Sequence, residues 1–251
     1  MVGWIPMGLR DLVRGRVEVG ARCRFLCRPL THANIRQRWW LLRRFDRISA
    51  EVHCPHKQGE ILRYVSAILS VPSDAPGIIV EAGAYRGGST AKLSLAAALA
   101  GRPLVVLDSF EGLPAAEADP RPTLFGKKAR FEAGQYAGSL PTVMRTVGTW
   151  GDLTVCRFVP GWFDQTTPRV AEPIAVLILD VDLVESVRTC LRHLYPHITP
   201  GGVVFSHDGH LPGVQALLSD ETFWRRDVGC PPPVIRGLGV EKVVEFPQPA
   251  R

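Results

Sequence analysis

Residues 78–112, IIVEAGAYRGGSTAKLSLAAALAGRPLVVLDSFEG, constrain this 251-residue chain more than any other stretch. An apolar run, Ile78 to Val80, meets an acid, Glu81, and then a turn with glycines at 83, 87 and 88. Ser89 and Thr90 are placed to cap a helix over about Ala91 to Ala100, which Gly101 ends. A second apolar run, Leu104 to Leu107, closes on Asp108. The pattern predicts a β-turn-α-β unit with a glycine-rich turn and a carboxylate at the end of its second strand. Gly83, lacking a Cβ, lets the backbone come close to a ligand. Asp108 stands where a carboxylate can accept from both hydroxyls of a ribose.

Two ligand classes use such a unit. A dinucleotide needs glycines spaced G-x-G-x-x-G so that its pyrophosphate meets the helix N-terminus. Here Tyr85 stands where that pattern needs its second glycine, and Glu81 would turn a negative charge toward the phosphates. E-x-G-x-x-x-G suits a ligand with a ribose and an ammonium group but no phosphate, and S-adenosylmethionine (AdoMet) is such a ligand. A plain crossover with packing glycines explains the unit less well, because both strands run into acids.

The length fits one α/β domain with a small N-terminal appendage, and 46% apolar residues can fill a sizeable core. No run approaches the roughly 18–20 apolar residues of a membrane span. The first residues lack a basic start followed by an apolar block and a cleavage site, so a cytoplasmic protein is expected. Six cysteines without a C-x-x-C pair agree with reduced, packing thiols. The net charge of +6 is uneven: residues 1–50 carry 11 arginines against 3 acids, a net of +8. Such a stretch can attract nucleic acid or an acidic partner. A solvated helical face is the commoner cause, with Trp39, Trp40, Leu41, Leu42 and Phe45 as its packed side, so nucleic acid is not the expected partner.

Residues 9–50 read as two or more helices broken near Pro29. Ile61, Leu62, Val65, Ile68 and Leu69 fall at helical spacing just before the first strand. After SFEGLP, a polar stretch from Ala115 to Gly138 is long enough to be functional, and Phe125, Lys127, Lys128 and Phe131 could close over a substrate. Ser139 and Pro141 open a helix to about Thr149. Strand three is Thr154 to Val159, followed by PGWF, where Trp162 can stack on a flat ring or join the core. Strand four, residues 174–182, is nearly continuous apolar sequence ending in Asp180 and Asp182. A helix follows from Glu185 to Leu194. Strand five, residues 201–210, ends in His207, Asp208 and His210. A helix over Pro212 to Asp227 and two strands, PVIRGL and EKVVEF, complete a doubly wound sheet with an antiparallel terminal hairpin.

Ligands of open α/β sheets bind beyond the carboxyl ends of the strands. Two groups gather there: Glu81, Asp108 and Trp162 for a nucleoside, and Asp180 and Asp182 with His207 and Asp208. Converging carboxylates with an imidazole can hold a hard divalent cation such as Mg²⁺. They can also supply a base for a hydroxyl proton. Helix capping by Asp182 and plain hydrogen bonding by the histidines are the structural alternatives.

In VEAGAYRGGST (80–90), LDSFEGLP (107–114), FVPGWFDQTTP (158–168), LILDVDLVES (177–186) and LYPHITPGGVVFSHD (194–208), the chain resembles the macrocin O-methyltransferase family. These are class I, AdoMet-dependent enzymes acting on hydroxyls of natural products. The resemblance implies a Rossmann-like, seven-stranded sheet, with N-terminal helices over residues 1–55 as a lid or oligomer contact. Residues 56–251 would form the methyltransferase domain. It implies AdoMet contact through Glu81, Gly83, Asp108, Ser109 and Trp162, a set we complete with the neighbouring Ala84, Tyr85, Ser89 and Asp180. It implies Mg²⁺ at Asp180 and Asp208, and Asp182 as general base. Where the family has an acid pair, this chain has His207-Asp208, so imidazole, a poorer ligand for Mg²⁺ and a better one for Mn²⁺, Fe²⁺ or Zn²⁺, joins the metal set; Mg²⁺ stays the expected ion, with those three as alternatives. Val184 stands where the family carries a Tyr. A small-molecule acceptor and a homo-oligomer are the expected partners. The departures leave a second expectation, an AdoMet-fold enzyme of secondary metabolism performing a cyclisation, a rearrangement or a metal-dependent oxidation.

Overall fold

The computed structural model describes residues 18–115 and 119–247. Helix α1 is described over residues 18–27, and the expected helix over 9–17 lies outside the described residues. Then come α2 (Ile35–Glu51), α3 (Gln58–Ser70), β1 (Ile78–Ala82), α4 (Gly88–Leu99) and β2 (Leu104–Asp108). They are followed by α5 (Leu140–Trp150), β3 (Cys156–Pro160), the single turn α6 (Phe163–Thr166), β4 (Ile174–Leu179) and α7 (Val184–Leu194). β5 (Ile198–Ser206), α8 (Pro212–Ser219) and β6 (Val244–Pro247) complete the order.

The sheet runs β3-β2-β1-β4-β5-β6, parallel throughout except for β6, which pairs antiparallel with β5. β1 and β4 are buried along their whole length, as strands covered on both faces must be. The chain winds outward from β1 to β3 and then returns to β4, so the order reverses between β1 and β4. That reversal opens a crevice beyond their carboxyl ends. One apolar core, on the face toward α2, α3 and α4, contains Phe45, Ile61, Ile79 and Val106. The other, on the face toward α7 and α8, contains Val80, Leu191, Val214 and Phe246.

Several expectations change. Among the described residues the sheet has six strands, not seven. PVIRGL is reduced to one bridge, Arg236 with Glu245. Pro231, Pro232 and Pro233 offer no N–H to a partner strand, and Gly237 and Gly239, both at positive φ, turn the chain away. Helix α4 starts at Gly88, three residues before the predicted start, with Gly87 at φ 81° as its N-cap. Ser89 and Thr90 therefore lie inside its first turn and do not cap it. The helix expected over Pro212 to Asp227 stops at Ser219 and resumes as a π-helical turn over Phe223–Val228. On α2, Leu41, Leu42, Phe45 and Ile48 face the core, while Trp39 and Trp40 are exposed (55% and 48%). The two tryptophans fall one helical face away from the buried stripe, outside the reach of α3 and α4.

Candidate active site

The crevice is lined by Gly83, Ala84, Tyr85, Ser89, Asp108, Ser109, Trp162, Asp180, Asp182 and His207, which brings together ten of the residues singled out from the sequence. Glu81 and Asp208 lie behind this wall, each about 1% exposed. His210 lies outside it as well, its ring beside Phe125.

The end of the crevice expected to take a nucleoside is organised by Asp108, the last residue of β2. Its Oδ2 accepts from the backbone N–H groups of Ala84 (2.6 Å) and Tyr85 (3.4 Å), and its Oδ1 from Phe110 (2.6 Å). The carboxylate thus ties the turn after β1 to its own strand, and Oδ1, with one bond made, keeps a lone pair for a hydroxyl. Burial raises its pKa, and these N–H groups oppose the rise. Ser109 braces the next turn, donating to the Gly112 carbonyl (3.0 Å). Trp162 sits at the start of α6 with its side chain on the cavity wall.

Gly83 lines the crevice and also meets a packing demand. At φ 94°, a Cβ built on it falls 2.0 Å from the Asp180 carbonyl oxygen. The close approach of the β1 turn to the end of β4 by itself requires a glycine here. Four other residues adopt positive φ without being glycine: Tyr85, Phe110, Tyr136 and Asp182. Three of them line the crevice, where such conformations tend to be held in place by function. Glu81, buried beside Asp180 and Asp108, has its pKa pushed up to about 8 by burial, and its Oε2 lacks a hydrogen-bonding partner. That orphan carboxylate oxygen fits the ammonium group of a cationic ligand.

The second end centres on Asp180, and the structure divides the expected metal set. Among the described residues, one close group is His56, Asp180 and His207, and another is Asp180, Asp182 and Asp208. Each gathers its donor atoms within 4.8 Å of one another. His207 and Asp208 fall into different groups because β5 ends at Ser206 and the two side chains diverge. Asp208 turns inward, its Oδ2 accepting from the N–H groups of Val181 and Asp182 (3.1 Å each), and its Oδ1 has no partner. His207 turns toward α3, its Nδ1 bonded to Asp180 Oδ1 (2.7 Å) and its Nε2 to Glu60 Oε2 (3.2 Å).

The charges follow from these contacts. Burial alone would lower His207, but Asp180 and Glu60 outweigh it and carry the imidazole up to about 10. Burial takes His56 down to about 4, which leaves that ring neutral at pH 7. Burial works to raise Asp180, yet the two imidazoles hold it below the usual carboxylate range. Asp182 is raised by burial and by the carboxylates of Asp208 and Asp180. The site therefore contains one carboxylate that holds its charge, Asp180, and another, Asp182, whose ionised form has a raised affinity for a proton.

His56, Glu60 and Tyr136 were not foreseen. Glu60 is the third residue of α3, and its carboxylate accepts from the Lys57 N–H at the helix start (2.7 Å). Nothing in the sequence joins it, or His56 before it, to a strand end well over a hundred residues downstream. In the long loop, Tyr136 forms cavity wall, whereas Phe125, Lys127 and Lys128 line neither this cavity nor the one beside it.

The sheet order, the reversal between β1 and β4 and the acid that closes β2 define a Rossmann-like fold of the class I methyltransferase type. Solved structures agree on the fold. The O-methyltransferase NovP superposes with a TM-score of 0.66 at 23% identity, covering 86% of this chain and 100% of NovP. Calicheamicin methyltransferase CalS11 gives 0.57 at 17% identity, covering 82% and 91%. Residues 66–229 match the model of the macrocin-O-methyltransferase (TylF) family, and the chain belongs to that family. It is 34% identical over 172 residues to the Streptomyces olivaceus 8-demethyl-8-(2,3-dimethoxy-alpha-L-rhamnosyl)-tetracenomycin-C 4'-O-methyltransferase, covering 66% of this chain and 65% of that protein. It is 34% identical over 152 residues to the Micromonospora griseorubida mycinamicin III 3''-O-methyltransferase, covering 58% and 60%. The matches thus span somewhat less than two thirds of these relatives. No helix among the described residues is long and apolar enough to cross a membrane.

Proposed function

We propose that the protein is an AdoMet-dependent O-methyltransferase acting on a hydroxyl of a small-molecule natural product, with Asp182 as general base. The observation that carries this is the position of Asp182. It lines the crevice that contains Asp108 and Trp162, and it also lines a neighbouring cavity of about 810 Å³ that reaches Phe131, Arg188 and Pro212. The two cavities share Pro114, Asp182 and Ser186. Asp182 thus stands between a nucleoside-binding side and an open side with both apolar and charged walls, suited to a polar group on an apolar scaffold. The relatives' names, a rhamnosyl-tetracenomycin and a mycinamicin methyltransferase, agree with an acceptor of that kind.

AdoMet, when bound, supplies an electrophilic methyl group, and a divalent cation, which Asp180 would help to hold, would polarise the acceptor oxygen and ease its deprotonation. The protein's part is largely positioning. Asp108 and Trp162 hold the nucleoside, and the turn at Gly83–Tyr85 fixes the approach. Asp182 takes the hydroxyl proton onto its carboxylate as the oxygen gains its methyl group. Its backbone stands at positive φ, 59°. Asp182→Asn should bind AdoMet with unchanged affinity and lose about 10²–10⁴ in turnover. Isotope-labelled AdoMet read by product mass distinguishes methyl transfer from a cyclisation or an oxidation. Near-normal turnover in the variant would overturn the base assignment.

A further inference from the structure

Asp180 is held between two histidines that come from opposite halves of the chain. His56 precedes α3, and its side chain is only 3% exposed, with Nε2 3.2 Å from Asp180 Oδ2. His207 follows β5, also 3% exposed, with Nδ1 2.7 Å from Asp180 Oδ1. The two rings stack with centroids 4.3 Å apart and planes 30° apart, so they present nitrogen to the same carboxylate from neighbouring layers. All three side chains line the crevice.

We propose that His56, Asp180 and His207 form a binding site for an imidazole-preferring divalent metal, Zn²⁺, Fe²⁺ or Mn²⁺, with Glu60 as the residue that orients His207. Two imidazoles and one carboxylate on one face of a cavity, with the remaining side open, is the donor set such metals take. Ligand atoms at about 2.0–2.2 Å from a metal lie roughly 3 Å from one another, and the donors here already stand at 2.7 and 3.2 Å. A metal-binding histidine almost always donates its other ring N–H to a carboxylate, which fixes ring and tautomer. Glu60 does this for His207, and Glu60 is itself fixed by the Lys57 N–H at the first turn of α3. This arrangement assigns the two sides of Asp180 different tasks. The nitrogen side holds the ion, and the carboxylate side, Asp182 with Asp208, is left free to handle a proton. The ion's use in orienting an acceptor oxygen rests on the methyl-transfer reading, whereas its binding does not.

The full chain, stripped with EDTA, is titrated with Zn²⁺ and separately with Mg²⁺, and its Co²⁺ form is followed by visible absorption. The expected result is one Zn²⁺ per chain, bound at least about 100-fold tighter than Mg²⁺. His56→Ala and Glu60→Gln should each weaken Zn²⁺ by about 10–100-fold. His56→Ala should also alter the Co²⁺ spectrum, and Asp182→Asn should keep full stoichiometry. His56→Gln serves in parallel if the alanine variant does not fold, and circular dichroism checks each protein. The inference is overturned if Mg²⁺ binds as tightly as Zn²⁺, if Zn²⁺ survives His56→Ala but is lost in Asp182→Asn, or if no cation binds. AdoMet titrated into the same samples separates the two readings. AdoMet bound without metal sinks this site alone, and metal bound without AdoMet sinks the methyltransferase reading alone.

Discussion

Glu81 illustrates how a binding site lowers the stability of the fold that carries it. Its carboxyl is buried at the end of β1, and its pKa rises from the ordinary 4.5 to about 8, first through burial and then through the nearby charges of Asp180 and Asp108. A group whose folded pKa lies above its unfolded one stabilises the fold fully only below the unfolded value. That contribution is lost as pH rises through about 8, at about 1.4 kcal/mol per pH unit. Glu81→Gln carries no such charge. Its Tm relative to the native protein should therefore climb by several degrees between about pH 5 and about pH 8, while its AdoMet affinity falls. Melting curves that shift in parallel with pH would contradict this account of the residue.

At the scale of elements, α4 connects the nucleoside end to the rest of the molecule. It is buried from Gly88 to Ala97, which leaves Lys92 without access to water. The ammonium donates to Ser49 Oγ (2.8 Å) on α2, and burial lowers its pKa. An isolated buried charge is costly, whereas removing both charge and need is often neutral. Lys92→Met should leave stability unchanged or raise it, and Ser49→Ala should cost about 1–3 kcal/mol in chemical denaturation. A larger loss from Lys92→Met than from Ser49→Ala would show that the ammonium is itself structural. The elements near this helix also mark what the sequence could and could not reveal. β1, β2 and β4 were legible because central parallel strands are nearly all apolar, and because Asp108 and Asp180 close two of them. The stripe of α3 was legible from its spacing. The exposure of Trp39 and Trp40 was not, since a tryptophan beside Leu41 reads as core until the helix is rotated against its neighbours. The missing seventh strand could have been anticipated from Pro231–Pro233. The meeting of His56, Glu60 and His207 could not, because it depends on how α3 docks across the ends of β4 and β5.

At the scale of the molecule, two layers of helices hold a sheet whose reversal between β1 and β4 gathers Asp108, Trp162, Asp180, Asp182, His56 and His207 around one crevice. In the proposed division of labour, Asp108 and Trp162 would serve a nucleoside, Asp180 with the histidines a cation, and Asp182 a proton. This division of labour has meaning only if AdoMet is the ligand of the nucleoside end. Calorimetric titration of AdoMet into the full chain, with Asp108→Ala as control, tests that claim most directly. We expect one site per chain with micromolar affinity, weakened at least about tenfold in the variant, since a charge-assisted hydrogen bond to the ribose is lost. Absence of AdoMet binding by a folded protein would contradict the account at its centre.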